Sequence, residues 1–337
     1  MNSSASQASG RVDLAIVGAG PCGLAVGAAA RRAGLSSIIF DRGCVVNALV
    51  GYPLNMTFFS TPENLEIGDV PFVTRDVKPT RHEALTYYRR VAGYFELDVR
   101  QYEEVLDVEG AAADFWVKTR MRDGTEAGYP ARNIVIATGR FDTPNLLGVP
   151  GEDLPKVTHY YREAHPYYDQ ACLVVGGGNS AAEAALDLWR SGARVTLVHF
   201  LDEFDPGVKP WVRPDIENRI REGSIAARFR TRVHEIGPDF VTLQREDGPD
   251  SERLANDWVF AMTGYRPDIP FLRRLGIDVD GDTGIPVHDP DTMETNLPGI
   301  FIAGVLAAGY DANKIFIENG KLHGDRIVNA LTGSRSD

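Results

Sequence analysis

The sequence is poor in cysteine and lacks the spacings that mark metal sites or redox pairs. Its 337 residues include three cysteines, Cys22, Cys44 and Cys172, which lie far apart and form no CxxC pair. Its seven histidines show no HExxH spacing, and no GxSxG nucleophile motif occurs. These absences exclude a disulfide-framed secreted domain and argue against a metal site. They favour a reducing compartment, so the cytoplasm is the expected location.

The sequence also has fewer positive than negative residues, and it has no long uninterrupted apolar run. The chain has 35 lysines and arginines against 47 aspartates and glutamates, a net charge of −12. This balance gives no basic field to attract nucleic acid or an anionic membrane surface. The most apolar stretch, residues 12–30, contains four glycines and a proline, which predicts a strand, a turn and a helix rather than a membrane span. Nucleic acid and membranes are therefore not expected partners.

The first part of the chain carries a glycine turn in a specific context. The apolar run at 12–17 leads into the sequence GAGPCG, an Ala-rich helical stretch, and a second apolar run that ends at Asp41. Gly18 permits the tight turn, Gly20 lets backbone N–H groups reach a phosphate, and Gly23 allows close packing of helix and strand. Asp41 can accept hydrogen bonds from a ribose. The pattern predicts a bound adenine dinucleotide.

The same design recurs in the second half of the chain. The apolar run at 172–175 leads into GGGNSA, in which Gly176, Gly178 and Ala181 take the three key places. A helical stretch and another apolar run follow, ending at His199, which lies 23 positions after Gly176; Asp41 lies at the same interval from its own first glycine. Two βαβ units in one chain predict two dinucleotide sites, typical of a flavin and a nicotinamide that exchange hydride.

The order of the elements predicts an α/β fold of two doubly wound, Rossmann-like domains, the second inserted in the first. We expect the first domain at 1–150 and 290–337 and the second at 151–289, joined by the Pro- and Gly-rich linker 144–155. Further expected elements are helices at 81–94, 213–222 and 313–330 and strands at 103–108, 115–120 and 299–303.

Specific sequence strings extend the pattern to nearly the whole chain. They are VGAGPCGL at 17–24, TFFST at 57–61, LEIGDVPF at 65–72, ATGRFDTPN at 137–145, KPW at 209–211, FAMTGYRPD at 260–268, METN at 293–296, FIAGVLAAG at 301–309 and IFIENGKLHG at 315–324. With these strings the chain resembles the bacillithiol disulfide reductases, a group within the two-dinucleotide flavoprotein reductases of thioredoxin-reductase architecture.

The resemblance implies a set of residues for each cofactor. The FAD set comprises Gly18, Gly20, Pro21, Cys22, Gly23, Asp41, Asn47, Val105, Thr138, Gly139, Gly304, Val305, Lys314 and Ile315, with Val105 near the adenine. The NADPH set comprises Gly176, Gly178, Asn179, Ser180, Ala181 and His199.

Two positions depart from the broader pattern. Val305 stands where thioredoxin reductases have Asp, and the bacillithiol group also has Val at this position. Phe200 stands where related NADPH sites have Arg, and acidic residues follow it, so NADPH is expected but NADH stays possible.

The segment before the second βαβ unit differs most from thioredoxin reductases, because it reads THYYREAHPYYDQ at 158–170 and has no dithiol. Its aromatic residues form a linker or line a pocket. Without a dithiol there, this segment cannot relay electrons to thioredoxin. Cys22 at a helix start is the candidate nucleophile, since the helix dipole lowers a thiol pKa. Packing beside the flavin is its alternative role. Cys44 is a partner thiol or a loop residue, and Cys172 is expected in the core.

The predicted activity is an FAD-dependent reduction of a low-molecular-weight disulfide, such as bacillithiol disulfide, at the expense of NADPH. Electrons would pass from NADPH to FAD and on to a mixed disulfide at Cys22. The alternatives are a reductase of ferredoxin, quinone or oxygen, and a flavin-binding redox sensor. Homo-oligomerisation is expected only by analogy with related enzymes.

Overall fold

The computed structural model describes residues 10–311 and 313–333, and it divides the chain into two compact units. The first unit comprises Met1–Val50, Met56–Thr143 and Arg266–Asp337, and the second comprises Gly51–Asn55 and Pro144–Tyr265. The second unit thus interrupts the first.

Within the described residues, the first unit contains a seven-stranded sheet with the order β3-β2-β1-β6-β5-β4, and β15 also pairs with β6. These strands are β1 (Val12–Val17), β2 (Ser37–Asp41), β3 (Asp98–Gln101), β4 (Glu103–Ala111), β5 (Asp114–Met121), β6 (Glu126–Ile136) and β15 (Ile300–Ile302). Strands β1, β2, β3 and β15 and the second half of β6 run parallel, whereas β4, β5 and the first half of β6 form an antiparallel meander.

The helices of the first unit are α1 (Pro21–Arg32), α2 (Asn47–Val50), α3 (Pro62–Leu65), α4 (Arg81–Tyr94), α7 (Ile269–Arg274), α8 (Ile317–Gly320) and α9 (His323–Thr332). A 3-10 turn spans Gly304–Ala308. Helix α4 begins where the sequence predicts, because Thr80 and Glu83 form a reciprocal capping box. Helix α1 begins at Pro21, which suits the first helical position, and ends in Arg31 and Arg32, which favour its negative end.

The second unit contains a five-stranded parallel sheet with the order β10-β9-β8-β14-β7 and a three-stranded antiparallel sheet with the order β11-β12-β13, both within its described residues. The strands are β7 (Val157–Thr158), β8 (Ala171–Val175), β9 (Arg194–Val198), β10 (Ala226–Arg228), β11 (Thr231–Ile236), β12 (Phe240–Arg245), β13 (Ser251–Ala255) and β14 (Trp258–Ala261). Its helices are α5 (Asn179–Arg190) and α6 (Arg213–Arg221).

The structure differs from the expectation at one domain boundary and in one helix. The chain returns to the first unit at Arg266 rather than near residue 290, because α7 belongs to that unit: its Arg274 donates to the carbonyl of Leu106. The single helix expected at 313–330 is divided into α8 and α9. Asn319 accepts from the N–H of Phe316 at the start of α8, and the close packing of Gly320 against Gly304 follows at its end.

The aromatic residues at 160–168 pack within the second unit. The Tyr167 ring lies 4.8 Å from the ring of Phe260, and Tyr161 donates to Asp187 at 2.5 Å. Tyr161 therefore belongs to the core of the second unit and Tyr167 packs against it, whereas Tyr168 is exposed.

Candidate functional site

The first glycine turn is fixed by contacts that exclude side chains. Gly18 has φ +111°, and a Cβ there would lie 2.4 Å from the carbonyl oxygen of Ala137. A Cβ on Gly23 would lie 1.9 Å from the carbonyl oxygen of Gly18. Around Gly20, in contrast, nothing lies within 4 Å of the Cβ position. The turn is closed toward the sheet and open at the start of α1, as the predicted phosphate site requires.

Asp41 ties this turn to the end of β2. Its carboxylate accepts from the N–H of Ala19 at 2.8 Å and from the N–H of Gly43 at 2.7 Å. Burial raises the pKa of Asp41, against the opposing effect of these two hydrogen bonds. The residue therefore holds the turn in shape, and its contact with a ribose stays a prediction.

An open cleft lies beside the turn. Five residues of the predicted FAD set line it: Gly18, Asp41, Val105, Thr138 and Gly139. The hydroxyl oxygen of Thr138 is buried and has no hydrogen-bond partner among residues 10–311 and 313–333. Since buried polar atoms are rarely left unpaired, this oxygen fits a bound group that carries hydroxyl or amide functions.

Sequence reasoning missed several residues of this cleft: Arg42, Glu103, Glu104, Arg140, Asp142, Thr143, Asp268, Phe271 and Arg274. Arg42 and Asp142 form an ion pair at 2.8 Å. Arg42 directly follows Asp41, and Asp142 lies within the string at 137–145. Their places in these motifs were the sequence signal that could have identified them as residues of the cleft. The α7 residues were missed because 268–274 was assigned to the other domain.

A second group of predicted residues gathers around Cys22. A Cβ on Gly304 would lie 2.9 Å from its Sγ, and a Cβ on Gly320 would lie 3.0 Å from the same atom. Ile315 also contacts the Gly320 position, at 3.2 Å. His323 is buried next to this cluster, and its Nδ1 accepts a hydrogen bond from the N–H of Gly304 at 3.1 Å. Residues from both ends of the chain thus meet at the start of α1.

The electrostatics of Cys22 differ from the expectation. Although part of the residue is accessible to solvent, burial of the thiol raises its pKa to about 12. This direction is opposite to the lowering expected at a helix start, and its cause is desolvation of the thiolate. Burial also lowers the pKa of His323, to about 4, so its imidazole is neutral at pH 7.

The remaining residues of the FAD set lie around these two groups. Asn47 begins α2, and its Oδ1 is 3.7 Å from Sγ of Cys44. Val305 lies 4.0 Å from the Cβ position of Gly139. Lys314 is exposed and pairs with Asp311 at 3.7 Å, so the structure gives it no contact with the cleft.

The second glycine turn repeats the geometry of the first. Gly176 has φ +141°, and a Cβ there would lie 2.4 Å from the carbonyl oxygen of Met262. Ala181 is fully buried, with its Cβ 3.2 Å from the same position. Gly178 caps α5 without a side-chain hydrogen bond, and Ser180 beside it is exposed. Unlike Gly20 of the first unit, the Cβ position of Gly178 has a carboxylate oxygen of Asp205 3.3 Å away.

Two predicted residues of this turn have structural contacts. Asn179 accepts from the N–H of Lys209 and donates to the carbonyl of Gly207, each at 2.9 Å, which holds the following loop. His199 is only 3% exposed, and its Nε2 lies 3.5 Å from Oδ1 of Asp205. Asp205, one of the acidic residues that follow Phe200, approaches the turn because its N–H donates to the carbonyl of Gly177 at 3.0 Å.

All three cysteines are free, and Cys172 is buried in β8 as predicted. In the described part of the chain, no group of three or more His, Cys, Asp or Glu residues could hold a metal ion. Across residues 10–311 and 313–333, none of the helices has both the length and the apolar character that crossing a bilayer demands.

Comparisons with known proteins agree with this arrangement. Residues 15–304 match the family described as pyridine nucleotide-disulphide oxidoreductase. The bacilliredoxin reductase of Bacillus subtilis strain 168 is 45% identical over 317 residues, which cover 93% of this chain and 95% of the relative.

Two solved structures are similar over almost the whole chain. The bacillithiol disulfide reductase of Bacillus cereus is 45% identical with a TM-score of 0.94, covering 97% of this chain and all of the other. The bacillithiol disulfide reductase of Staphylococcus aureus is 41% identical with a TM-score of 0.90, covering 97% of this chain and 99% of the other.

These similarities confirm the predicted resemblance, the two Rossmann-like domains of thioredoxin-reductase type and the flavin-dependent reductase class. The family and its thioredoxin-reductase-like members use FAD and NADPH. From its matched residues and its relatives, the chain belongs to the pyridine nucleotide-disulphide oxidoreductase family.

Proposed function

We propose that this chain reduces a low-molecular-weight thiol disulfide, bacillithiol disulfide, with electrons from NADPH that pass through FAD. The observation that carries the proposal is the repeated glycine turn, which in each unit follows a parallel strand of that unit's own sheet. A bound flavin would accept hydride from the nicotinamide and deliver two electrons to the disulfide. A single-cofactor protein would have no use for the second turn.

The first unit offers the features that FAD needs. Gly18 and Gly23 close the turn, Gly20 leaves its N–H side open, and the unpaired hydroxyl of Thr138 lies in the adjoining cleft. Backbone amides at the start of α1 would hold the pyrophosphate. In the second unit, the Gly176 turn and the start of α5 would hold the pyrophosphate of NADPH in the same way.

Cys22 is the proposed catalytic thiol. Its position supports this role, because Sγ lies 2.9 Å from the Cβ position of Gly304, a residue of the predicted FAD set. Attack by Cys22 on the substrate disulfide would form a mixed disulfide and release one thiolate, which takes up the proton lost by Cys22. Two electrons supplied through the flavin, with a proton, would then break the mixed disulfide, release the second thiol and restore Cys22. Because burial keeps Cys22 protonated at pH 7, the attack requires removal of its proton as the substrate binds.

The proposed substrate is small because no dithiol relay is present. The described residues contain three free cysteines, of which Cys172 is buried in a strand of the second unit. The names of the relatives point to two acceptors, a bacilliredoxin in one case and bacillithiol disulfide in the others. The small disulfide is the one that needs no second cysteine on this chain.

The test is anaerobic reduction of the FAD-loaded protein by NADPH, followed by mixing with bacillithiol disulfide, with oxidised bacilliredoxin, and with quinone or oxygen. We expect rapid bleaching of the flavin and reoxidation by the small disulfide. Failure to bleach would instead indicate a redox sensor. Reoxidation by quinone or oxygen alone would indicate another reductase, and reoxidation by bacilliredoxin alone would replace the substrate.

We also infer a cytoplasmic location and a homodimer. A thiol reductase with free cysteines suits a reducing compartment. Light scattering of the FAD-loaded protein tests the dimer, whose expected mass is twice the 36.9 kDa of the chain.

A further inference from the structure

The end of β9 is the part of the second unit where an adenosine ribose would be recognised. In βαβ units of this type, the residues beyond the second strand distinguish a 2′-hydroxyl from a 2′-phosphate. His199 comes first and is buried, and Phe200 follows with 46% exposure. Neither offers a positive charge at the surface, since burial lowers the pKa of His199. Recognition of a phosphate here requires a cation from another element.

Arg232 supplies a cation at this point. Its guanidinium carbon lies 4.6 Å from the centroid of the Phe200 ring. The residue belongs to β11 and its side chain is 60% exposed. Its Nε pairs with Glu246, and among the described residues its other guanidinium nitrogens have no hydrogen-bond partner. Four N–H donors thus stay available beside an exposed aromatic ring.

Backbone hydrogen bonds hold the two segments together. The carbonyl of His199 accepts from the N–H of Thr231 at 3.1 Å, and the carbonyl of Leu201 accepts from the N–H of Arg230 at 2.8 Å. In addition, the N–H of His199 donates to the carbonyl of Arg228 at 3.0 Å. The loop after β9 is therefore fixed in register on the start of β11, so the stacking of Arg232 on Phe200 follows from the fold.

We propose that Arg232, supported by the Phe200 ring, binds the 2′-phosphate of NADPH and makes the second unit selective for NADPH over NADH. This inference rests on the proposed function in one respect, the binding of a nicotinamide nucleotide at the Gly176 turn. A guanidinium suits this task because it binds phosphate through parallel, charge-assisted hydrogen bonds. Its pairing with Glu246 does not prevent this, because exposed ion pairs are weak and a phosphate can replace the carboxylate.

The experiment measures equilibrium binding of NADP⁺, NAD⁺ and adenosine 2′,5′-bisphosphate to the FAD-loaded protein by calorimetry. Arg232→Gln removes the charge, and Phe200→Leu removes the ring. Arg253→Gln is the matched control, because Arg253 lies 3.5 Å over the ring of Phe240 in the same three-stranded sheet. Arg230→Gln tests the neighbouring arginine, which lies 3.8 Å from Asp247.

We expect Arg232→Gln to weaken binding of NADP⁺ and of the bisphosphate by about tenfold or more, with binding of NAD⁺ unchanged. Phe200→Leu should have a smaller effect in the same direction, and Arg253→Gln none. Equal binding of NADP⁺ and NAD⁺ by the original protein, or loss of selectivity in Arg230→Gln alone, would overturn the proposal. Because these measurements need no turnover of a disulfide, they stand even if the proposed reaction fails.

Discussion

The imidazole ring of His199 occupies the space that a side chain on Gly177 would need. A Cβ on Gly177 would lie 2.3 Å from Nε2 of His199 and within 2.5 Å of two further ring atoms. The corresponding pair in the first unit is Ala19 and Asp41, joined by a hydrogen bond from N–H to carboxylate at 2.8 Å. The two turns therefore use different chemistry for one purpose, which is to attach the glycine turn to the end of the second strand.

This relationship predicts the effect of Gly177→Ala. The added methyl group must displace a ring that is buried in the second unit, so we expect a loss of stability of about 1–3 kcal/mol. Thermal unfolding followed by circular dichroism measures it. Gly248→Ala is the control in the same unit, because the nearest atom to its added Cβ is the Asp250 nitrogen at 4.0 Å. Equal melting temperatures for the two variants would contradict the packing argument.

Thr138→Val separates ligand binding from stability. The Thr138 hydroxyl is buried without a partner, so its removal should leave the FAD-free protein equally or more stable. Affinity for FAD should fall about three- to tenfold if a ligand group pairs with this hydroxyl, corresponding to about 0.5–1.5 kcal/mol. Flavin titration and thermal unfolding of the FAD-free protein give the two values.

Thr119→Val is the contrasting control. Thr119 is fully buried and donates to Oε1 of Glu103 at 2.5 Å. Removal of this donor should destabilise the FAD-free protein by about 1–3 kcal/mol. A destabilised Thr138→Val that binds FAD normally would show that the Thr138 hydroxyl is structural.

The pKa of Cys22 predicts its reactivity in the protein without substrate. With a pKa of about 12, only about one thiol in 10⁵ is ionised at pH 7. Alkylation of Cys22 by iodoacetamide should therefore be slow and should accelerate about tenfold per pH unit between pH 7 and 9. Peptide mass spectrometry of wild type and Cys22→Ser follows the reaction. Alkylation that is already rapid at pH 7 and does not accelerate up to pH 9 would mean that Cys22 is ionised at pH 7, which contradicts the raised pKa.

His323 predicts a pH dependence of stability. Its pKa is about 4 when folded and about 6.5 when unfolded, so the unfolded chain binds the proton more tightly. The contribution of neutral His323 to the free energy of unfolding is complete above about pH 6.5. Up to about 3 kcal/mol of that free energy is lost as the pH falls toward 4. His323→Asn should flatten this part of the profile, since its amide oxygen can accept from Gly304 but does not titrate. Urea unfolding at pH 4 to 7 measures the slope.

The exposed residue His82, on α4 of the same unit, provides the control. His82→Asn should retain the slope of the original protein. If the two variants behave alike, the slope arises from other groups.

The parts of the fold that could be predicted from sequence depend on neighbours along the chain. The turn at Gly18 needs only a strand before it and a helix after it, and α4 needs only its capping box. The paired design of the two turns was visible because both repeat one short pattern at one interval.

The parts that could not be predicted depend on partners far away in sequence. The burial of His199 and the raised pKa of Cys22 come from distant backbone and side chains packed against them. Membership of α7 in the first unit depends on contacts such as that of Arg274 with Leu106, 168 positions apart. No local pattern encodes such packing.

The pairing of β15 with β6 has a consequence for how the protein is made. Ile300 pairs with Ile134, and the entire continuous segment Pro144–Tyr265 of the second unit lies between them. During synthesis, that segment leaves the ribosome before β15 does, so the second unit can fold while the first sheet still lacks a strand. Until residues 300–302 emerge, this side of β6 is an open edge able to pair with other nascent chains. We therefore expect aggregation during synthesis to arise mainly before the first unit is completed.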